Sequence, residues 1–355
     1  MDLSNNLLQG SIPPELAGQK RLTLPDLRNN SLTGGLPQFV QGMASLQDLL
    51  LSNNPQLGGA LPQSGWETLA ANLATLDLSN AGLVGAIPAS MAALTGLRFL
   101  ALDHNRLTGA VPPQLAQLPS IGALVLSSNS LTGSLPSSLG GLTGLLKMDL
   151  SNNLLQGSIP PELAGQKRLT LPDLRNNSLT GGLPQFVQGM ASLQDLLLSN
   201  NPQLGGALPQ SGWETLAANL ATLDLSNAGL VGAIPASMAA LTGLRFLALD
   251  HNRLTGAVPP QLAQLPSIGA LYLNGNNLTG ALQFSAGFYQ RMGRRFASWD
   301  NPGLCYNIVA VDAAHAPSGV VVCKDLQEPS VAWDGEEGGR KPEASSSVVA
   351  SSASS

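Results

Sequence analysis

The chain has 355 residues, a formal charge of −5 and 11% charged residues, a mildly acidic balance with no basic excess to pair with nucleic acid. Hydrophobic residues reach 43% alongside 39 Gly and 25 Pro, while aromatics are 4%, so the core is leucine-built and often punctuated. No apolar run approaches the roughly 18 residues of a membrane span, and no charged segment followed by an apolar stretch marks a signal peptide.

Length alone would allow two or three ordinary domains, but the leucines fall into a repeat, and repeat proteins do not follow that prior. The template is L-x-x-L-x-L-x-x-N-x-L-x-G-x-I-P, followed by a short apolar segment. Units begin at Met1, Leu22, Leu46, Leu73, Leu97, Ile121, Leu145, Leu169, Leu193, Leu220, Leu244 and Ile268. The first is beheaded and those at Leu46 and Leu193 are longer than the rest. This is the leucine-rich-repeat signature, and it predicts a solenoid, an α/β horseshoe or superhelix; the G-x-I-P extension resembles the plant extracellular type. A parallel sheet lines its concave face, with short helical or 3-10 turns on the convex face. The solenoid is assigned to residues 1–290, a C-terminal cap to 291–324 and a disordered, acidic, Ser-rich tail to 325–355.

Each template position has a physical role. In L-x-x-L-x-L alternate strand residues send leucines inward and the x positions outward. One strand cannot bury such a face alone, but stacked neighbours form a continuous core. The ladder Asn (Asn30, Asn54, Asn105, Asn129 and later equivalents) turns the chain out of the strand, and its amide satisfies backbone groups buried by the turn. Ala81 and Ala228 replace it in two units, so those turns are satisfied otherwise or are soft spots. In "QSGWETLAANL", Ser64 and Glu67 have capping-box spacing ahead of a helical turn. Pro25 and Pro172 stand at inward leucine positions, where Pro removes a ladder hydrogen bond, so a local defect is expected at each.

Residues 1–124 are identical to residues 148–271, and the offset equals six whole units, so the register continues through the junction. Met148 fills a strand core position, and Met1 therefore does too, with the start of its strand missing. Solenoid ends need a polar capping unit. The reading is that Met1 is an internal position, with a signal peptide and N-terminal cap upstream.

After Gly280 the pattern dissolves, with Gln283 where Pro is expected. Arg291, Arg294 and Arg295 read as solvated charges on a last covering helix. Cys305 and Cys323 are spaced as a closed loop capping the last repeat. A disulfide there fits an oxidising compartment, whereas a zinc pair would need further ligands and the three histidines are scattered. The Ser/Ala-rich end lacks the hydrophobic stretch of a lipid-anchor signal.

The segment "FYQRMGRRFASWDNPGLCYN" (288–307), followed by "HAPSGVVVC" (315–323), resembles the C-terminal cap of plant leucine-rich-repeat receptor-like proteins of the Piriformospora indica-insensitive group, and "LDLSNAGLVGAIP" is similar to their repeats. The resemblance implies a cell-surface protein without a kinase, linked to growth responses to a root-colonising fungus.

Catalytic chemistry finds little support. Asp103–His104 and Asp250–His251 are the nearest approach to an acid–base pair, but no nucleophile accompanies them, and adjacent strand residues point to opposite faces. There is no phosphate loop, dinucleotide loop, HExxH or kinase signature, and no cofactor is expected. Binding suits this shape. Outward strand positions in the second copy supply the candidates Asp173, Arg175, Asp195, Arg245, Phe246, Asp250, His251 and Tyr272, with Phe246 and Tyr272 as anchors because aromatics and Arg carry most interface energy. Sequons stand at Asn29, Asn176 and Asn277. The expected partners are a peptide or protein ligand and a kinase-bearing co-receptor, with membrane association indirect or through a segment absent here. The alternatives are a secreted inhibitor of microbial wall-degrading enzymes, or a truncated, duplicated product without function.

Overall fold

The computed structural model describes residues 1–36, 42–183, 189–307 and 316–323. The tail assigned to 325–355 lies outside the described residues, as does His315.

The inward residue of every strand is apolar, and this drives the strands into one parallel stack. Eleven three-residue or shorter strands, from Asp48–Leu50 to Phe296–Ala297, form a single sheet in chain order. Its register is regular: Thr75, Leu76 and Asp77 pair with Phe99, Leu100 and Ala101, and those with Ala123, Leu124 and Val125. Leu76, Leu100 and Leu124 point inward and are fully buried, while residues on either side face outward. The leucine-rich-repeat solenoid is thus present as its periodicity predicts, with its covering turns almost all 3-10, as at Pro113–Gln117 and Ser137–Gly141.

A second series of short parallel pairings runs along the L-x-G-x segments, beyond the turn at each ladder position. Val84–Ala86, Arg106–Ala110 and Ser130–Thr132 form one such sheet, and a five-stranded one ends on Gly303–Tyr306 and Val321–Val322.

The ladder Asn does what its chemistry allows. Asn105 Nδ2 donates to the carbonyls of Leu102 and Asp103 in its own turn and of Leu78 in the preceding one. Its Oδ1 accepts from the N–H groups of Ala81 and Leu83. This also settles the Ala81 and Ala228 turns, which are not soft: Asn105 and Asn252 of the following units satisfy their N–H groups at 3.0 Å. The substitution lets the chain come closer instead. A Cβ on Gly82 would stand 2.3 Å from the Pro55 carbonyl oxygen.

Two local expectations fare differently. Pro172 is buried in its strand, which keeps full register with Lys147–Asp149 but pairs with the following strand only at Asp173↔Leu197. That is the missing N–H of proline made visible. The helical turn after Ser64 forms at Trp66–Leu69, but as a 3-10 turn capped by Gly65 at φ 90°, with Glu67 Oε2 accepting from the Gly65 N–H. A left-handed glycine starts it.

At the C-terminal end the pattern continues further than the sequence indicates. Phe296–Ala297 extends the main sheet, Asn301 serves as one more ladder Asn to Leu273, Ser298 and Trp299, and Gly303–Tyr306 pairs with Asn277–Leu282. Phe284, Phe288, Tyr289 and Phe296, with neighbouring ring centroids 4.7–6.1 Å apart, close the core here in place of leucines. Cys305 and Cys323 are joined, with Cα atoms 4.9 Å apart, and the Cys323 N–H donates to Tyr306.

The duplicated block supplies its own control. Leu3 is 39% exposed and its identical counterpart Leu150 is fully buried, because the unit from Ile121 packs against the latter. Leu150→Ala is therefore expected to cost about 2–5 kcal/mol, and Leu3→Ala no more than about 0.5 kcal/mol, measured by urea unfolding of the two variants. Asn153→Ala leaves the buried N–H of Leu131 without its acceptor and takes one of two donors from each of the carbonyls of Leu126, Leu150 and Ser151, and should cost roughly 1–3 kcal/mol, read in the same way.

Candidate functional site

The outward side chains of the main sheet form columns, one residue from each strand. Across the second copy and the residues that flank it, one column carries Lys147, Asp195 and Phe246, and its neighbour carries Asp149, Asp173, Asp224 and Tyr272. Two residues beyond come Ser199, Ser226 and Asp250, where each strand gives way to its turn.

The residue before each ladder position is left-handed: Asn80, His104, Asn152, Asn176, Asn227 and His251 have φ between 48° and 55°. Asn and His are among the side chains that tolerate this region. The consequence corrects the sequence argument about the acid–base pairs. His251 has already left the strand, so its ring turns back and Nδ1 lies 2.8 Å from Asp250 Oδ2. His104 and Asp103 repeat the contact at 2.8 Å. The histidines remain mostly exposed, and each ring's contact is with the carboxylate of the residue before it rather than with an activated nucleophile.

These pairs end a hydrogen-bonded chain across the strands. Ser199 Oγ donates to Asp224 Oδ2 at 2.7 Å. Ser226 Oγ lies 2.9 Å from Asp224 Oδ1 and 2.8 Å from Asp250 Oδ1, its one proton serving one carboxylate at a time. Such a chain fixes the carboxylates in place. Arg175 grips Asp173 through two parallel bonds, Nε to Oδ1 at 2.9 Å and Nη2 to Oδ2 at 2.6 Å. Asp173 is buried while Arg175 stays partly exposed, and that carboxylate raises the Arg175 pKa above its usual range.

The structure brings Phe246 and Tyr272 together, with ring centroids 5.6 Å apart at 56°. Arg245 is exposed beside Phe246, and Asp195 is half-buried two strands away with no cationic partner among the described residues. Asp149 and Asp224 make no ion pair at contact distance among the described residues, though both act on the Arg175 charge from farther off. The face therefore combines an aromatic platform with oriented carboxylates. Asn29, Asn176 and Asn277 are all exposed, and Asn176 Nδ2 donates to Asn152 Oδ1 at 2.8 Å.

The C-terminal arginines are not a patch. Arg291 lies over the Phe288 ring at 5.8 Å, Arg295 donates to the carbonyls of Arg291 and Met292, and Arg294 lines a cavity of about 400 Å³ with Tyr289 and Trp299. No cluster of metal-ligating side chains occurs among the described residues.

Among family models, "Leucine rich repeat" matches residues 218–278, and a second repeat model matches 121–142 and 144–166. No curated protein matches the chain. Among solved structures, the chain is similar to the plant peptide hormone receptor RGFR1 in complex with RGF2, with 29% identity over 86% of this chain and 51% of that one and a TM-score of 0.75. A TDR receptor gives 29%, 86%, 51% and 0.76. The Arabidopsis receptor kinase HAESA, in complex with the peptide hormone IDA and the co-receptor SERK1, gives 29%, 86%, 54% and 0.71. The chain spans about half the length of these solved chains. Repeat models and solved neighbours together support a leucine-rich-repeat ectodomain of the plant receptor type.

The first copy carries the same grip between Arg28 and Asp26, and it lowers the Asp26 pKa, chiefly through the Arg28 hydrogen bond. A depressed carboxylate stabilises the fold fully above its unfolded value of about 3.9 and loses that contribution as pH falls through the folded value. Asp26→Asn should accordingly flatten the acid limb of the stability profile below about pH 4, measured by thermal melts across pH.

Proposed function

We propose that this is a non-enzymatic leucine-rich-repeat receptor-like protein without a kinase, of the Piriformospora indica-insensitive group, acting on the outer side of the plant plasma membrane or in the apoplast. It holds an extended peptide against the outward face of the main sheet. The observation that carries the reading is the Phe246–Tyr272 pair, set beside the Asp224–Ser226–Asp250–His251 chain. Large aromatic side chains are the usual anchors of an interface, and fixed carboxylates beside them favour a ligand with basic or hydrogen-bond-donating groups. One solved neighbour is a peptide hormone receptor in complex with RGF2, and another holds the peptide hormone IDA and the co-receptor SERK1; a kinase-bearing co-receptor is the corresponding partner here. The Cys305–Cys323 bond supports an oxidising compartment, and the exposed sequons Asn29, Asn176 and Asn277 are the positions for glycans there.

The test is capture of secreted plant peptides by the purified chain, followed by sequencing and titration of what is retained. Peptides bearing basic or aromatic residues are expected, and the double variant Phe246→Ala, Tyr272→Ala should weaken their binding at the site these two rings form by roughly 30-fold or more, the loss of at least one interface hot spot. Unchanged affinity in that variant would overturn the assignment of the face.

A further inference from the structure

The identity of residues 1–124 and 148–271 is reproduced in the geometry of the outward face. The Arg–Asp grip has an Nη2–Oδ2 distance of 2.6 Å at Arg28–Asp26 and at Arg175–Asp173. The His–Asp contact is 2.8 Å in both copies. The Ser–Asp bond is 2.8 Å at Ser52–Asp77 and 2.7 Å at Ser199–Asp224. From Asp48–Leu50 onward both faces lie in one sheet, which Asp26 joins through a single bridge to Leu50, and the strand Lys147–Asp149 pairs in full register with the strand before it and the strand after it. Corresponding strands are six steps apart in that sheet, which at about 4.8 Å per strand separates the two faces by roughly 29 Å.

The copies part at one informative place. Identity ends at residue 271, and the next residue is Val125 after the first copy but Tyr272 after the second. Both positions are on the outward face, in register with Ala101 and Ala248. Tyr272 lies against Phe246, whereas Phe99 is left 37% exposed.

We propose that the chain carries two copies of one peptide-binding site, about 29 Å apart on a single sheet, and that Tyr272 makes the C-terminal copy the tighter. This rests on the peptide-binding reading above and adds its stoichiometry and its ligand form. An extended peptide rises about 3.3 Å per residue, so one of up to about eight residues occupies a single copy without reaching the other. The ligand that exploits both is one that carries its motif twice.

The probe is a seven-residue peptide selected from a displayed random library on the full chain, then synthesised singly and in tandem. Calorimetry should show two peptides per chain, with affinities roughly two- to tenfold apart, the usual worth of an aromatic pair. Phe99→Ala removes the weaker site and Phe246→Ala the stronger, while Val125→Tyr brings the two affinities together. Arg98→Glu and Arg245→Glu, both at exposed positions, give the same assignment should a phenylalanine variant fail to fold. A tandem peptide on a flexible linker of about 25 residues, whose mean reach matches the spacing, should bind about 100-fold or more tighter than the single peptide. With a linker of about four residues it should not. One peptide per chain, lost in Phe246→Ala and untouched in Phe99→Ala, overturns the paired site and leaves the binding face standing. Binding indifferent to both variants, or no selectable peptide at all, overturns the binding face and the pairing with it.

Discussion

The fold depends on one side-chain amide per turn. A ladder Asn reaches the carbonyls of its own turn and of the turn before with Nδ2, and the N–H groups of the turn before with Oδ1, as Asn105 and Asn252 show. Buried backbone groups must find partners, and here the partner for one unit is supplied by its neighbour. Leucine burial gives the stack its stability, but it is non-directional. The amide sets the angle at which each turn leaves the sheet, and therefore which residues face outward. The Ala81 and Ala228 units show how the constraint is shared: the following Asn supplies the bond, and Gly82 and Gly229 bring the backbone against Pro55 and Pro202.

What the sequence made legible is what a fixed spacing determines. Inward leucines, ladder Asn positions, the defect at Pro172 and the covering turns all follow from one unit seen in isolation. The features that escaped are those decided between units. The parallel pairing of L-x-G-x segments requires a neighbour in register. The last turn through Asn301 was hidden because Phe284, Phe288 and Phe296 fill leucine places with larger rings. The left-handed residue before each ladder position left a trace, an enrichment in Asn at that place, but it was not read as conformation. That omission is why Asp250 and His251 were set on opposite faces when they touch.

The candidate face was legible in part for the same reason. Alternation named the outward residues, and the structure places Phe246 with Tyr272, Asp173 with Arg175, and Asp250 with His251. Alternation is silent on the diagonal contacts of a sheet, so the run from Ser199 through Asp224 and Ser226 to Asp250 had no signal in any single unit. It converts scattered polar residues into an ordered row of carboxylates, a surface whose charge is held in place.

The duplicated block has a consequence for folding itself. In most solenoids each unit is marked by its own exposed residues and by small variations in core volume, so a unit stacked out of order meets slightly wrong neighbours. Here a block of five units meets identical contacts in either place, and only its flanks differ. Leu3 and Leu150 have the same local sequence and opposite environments. Position along the chain is thus encoded at the block boundaries alone, at the unit beginning with Ile121 and at the aromatic cluster that closes the far end. Those two places carry the information that distinguishes the correct assembly from an exchange of blocks between molecules, the characteristic error of repeat proteins.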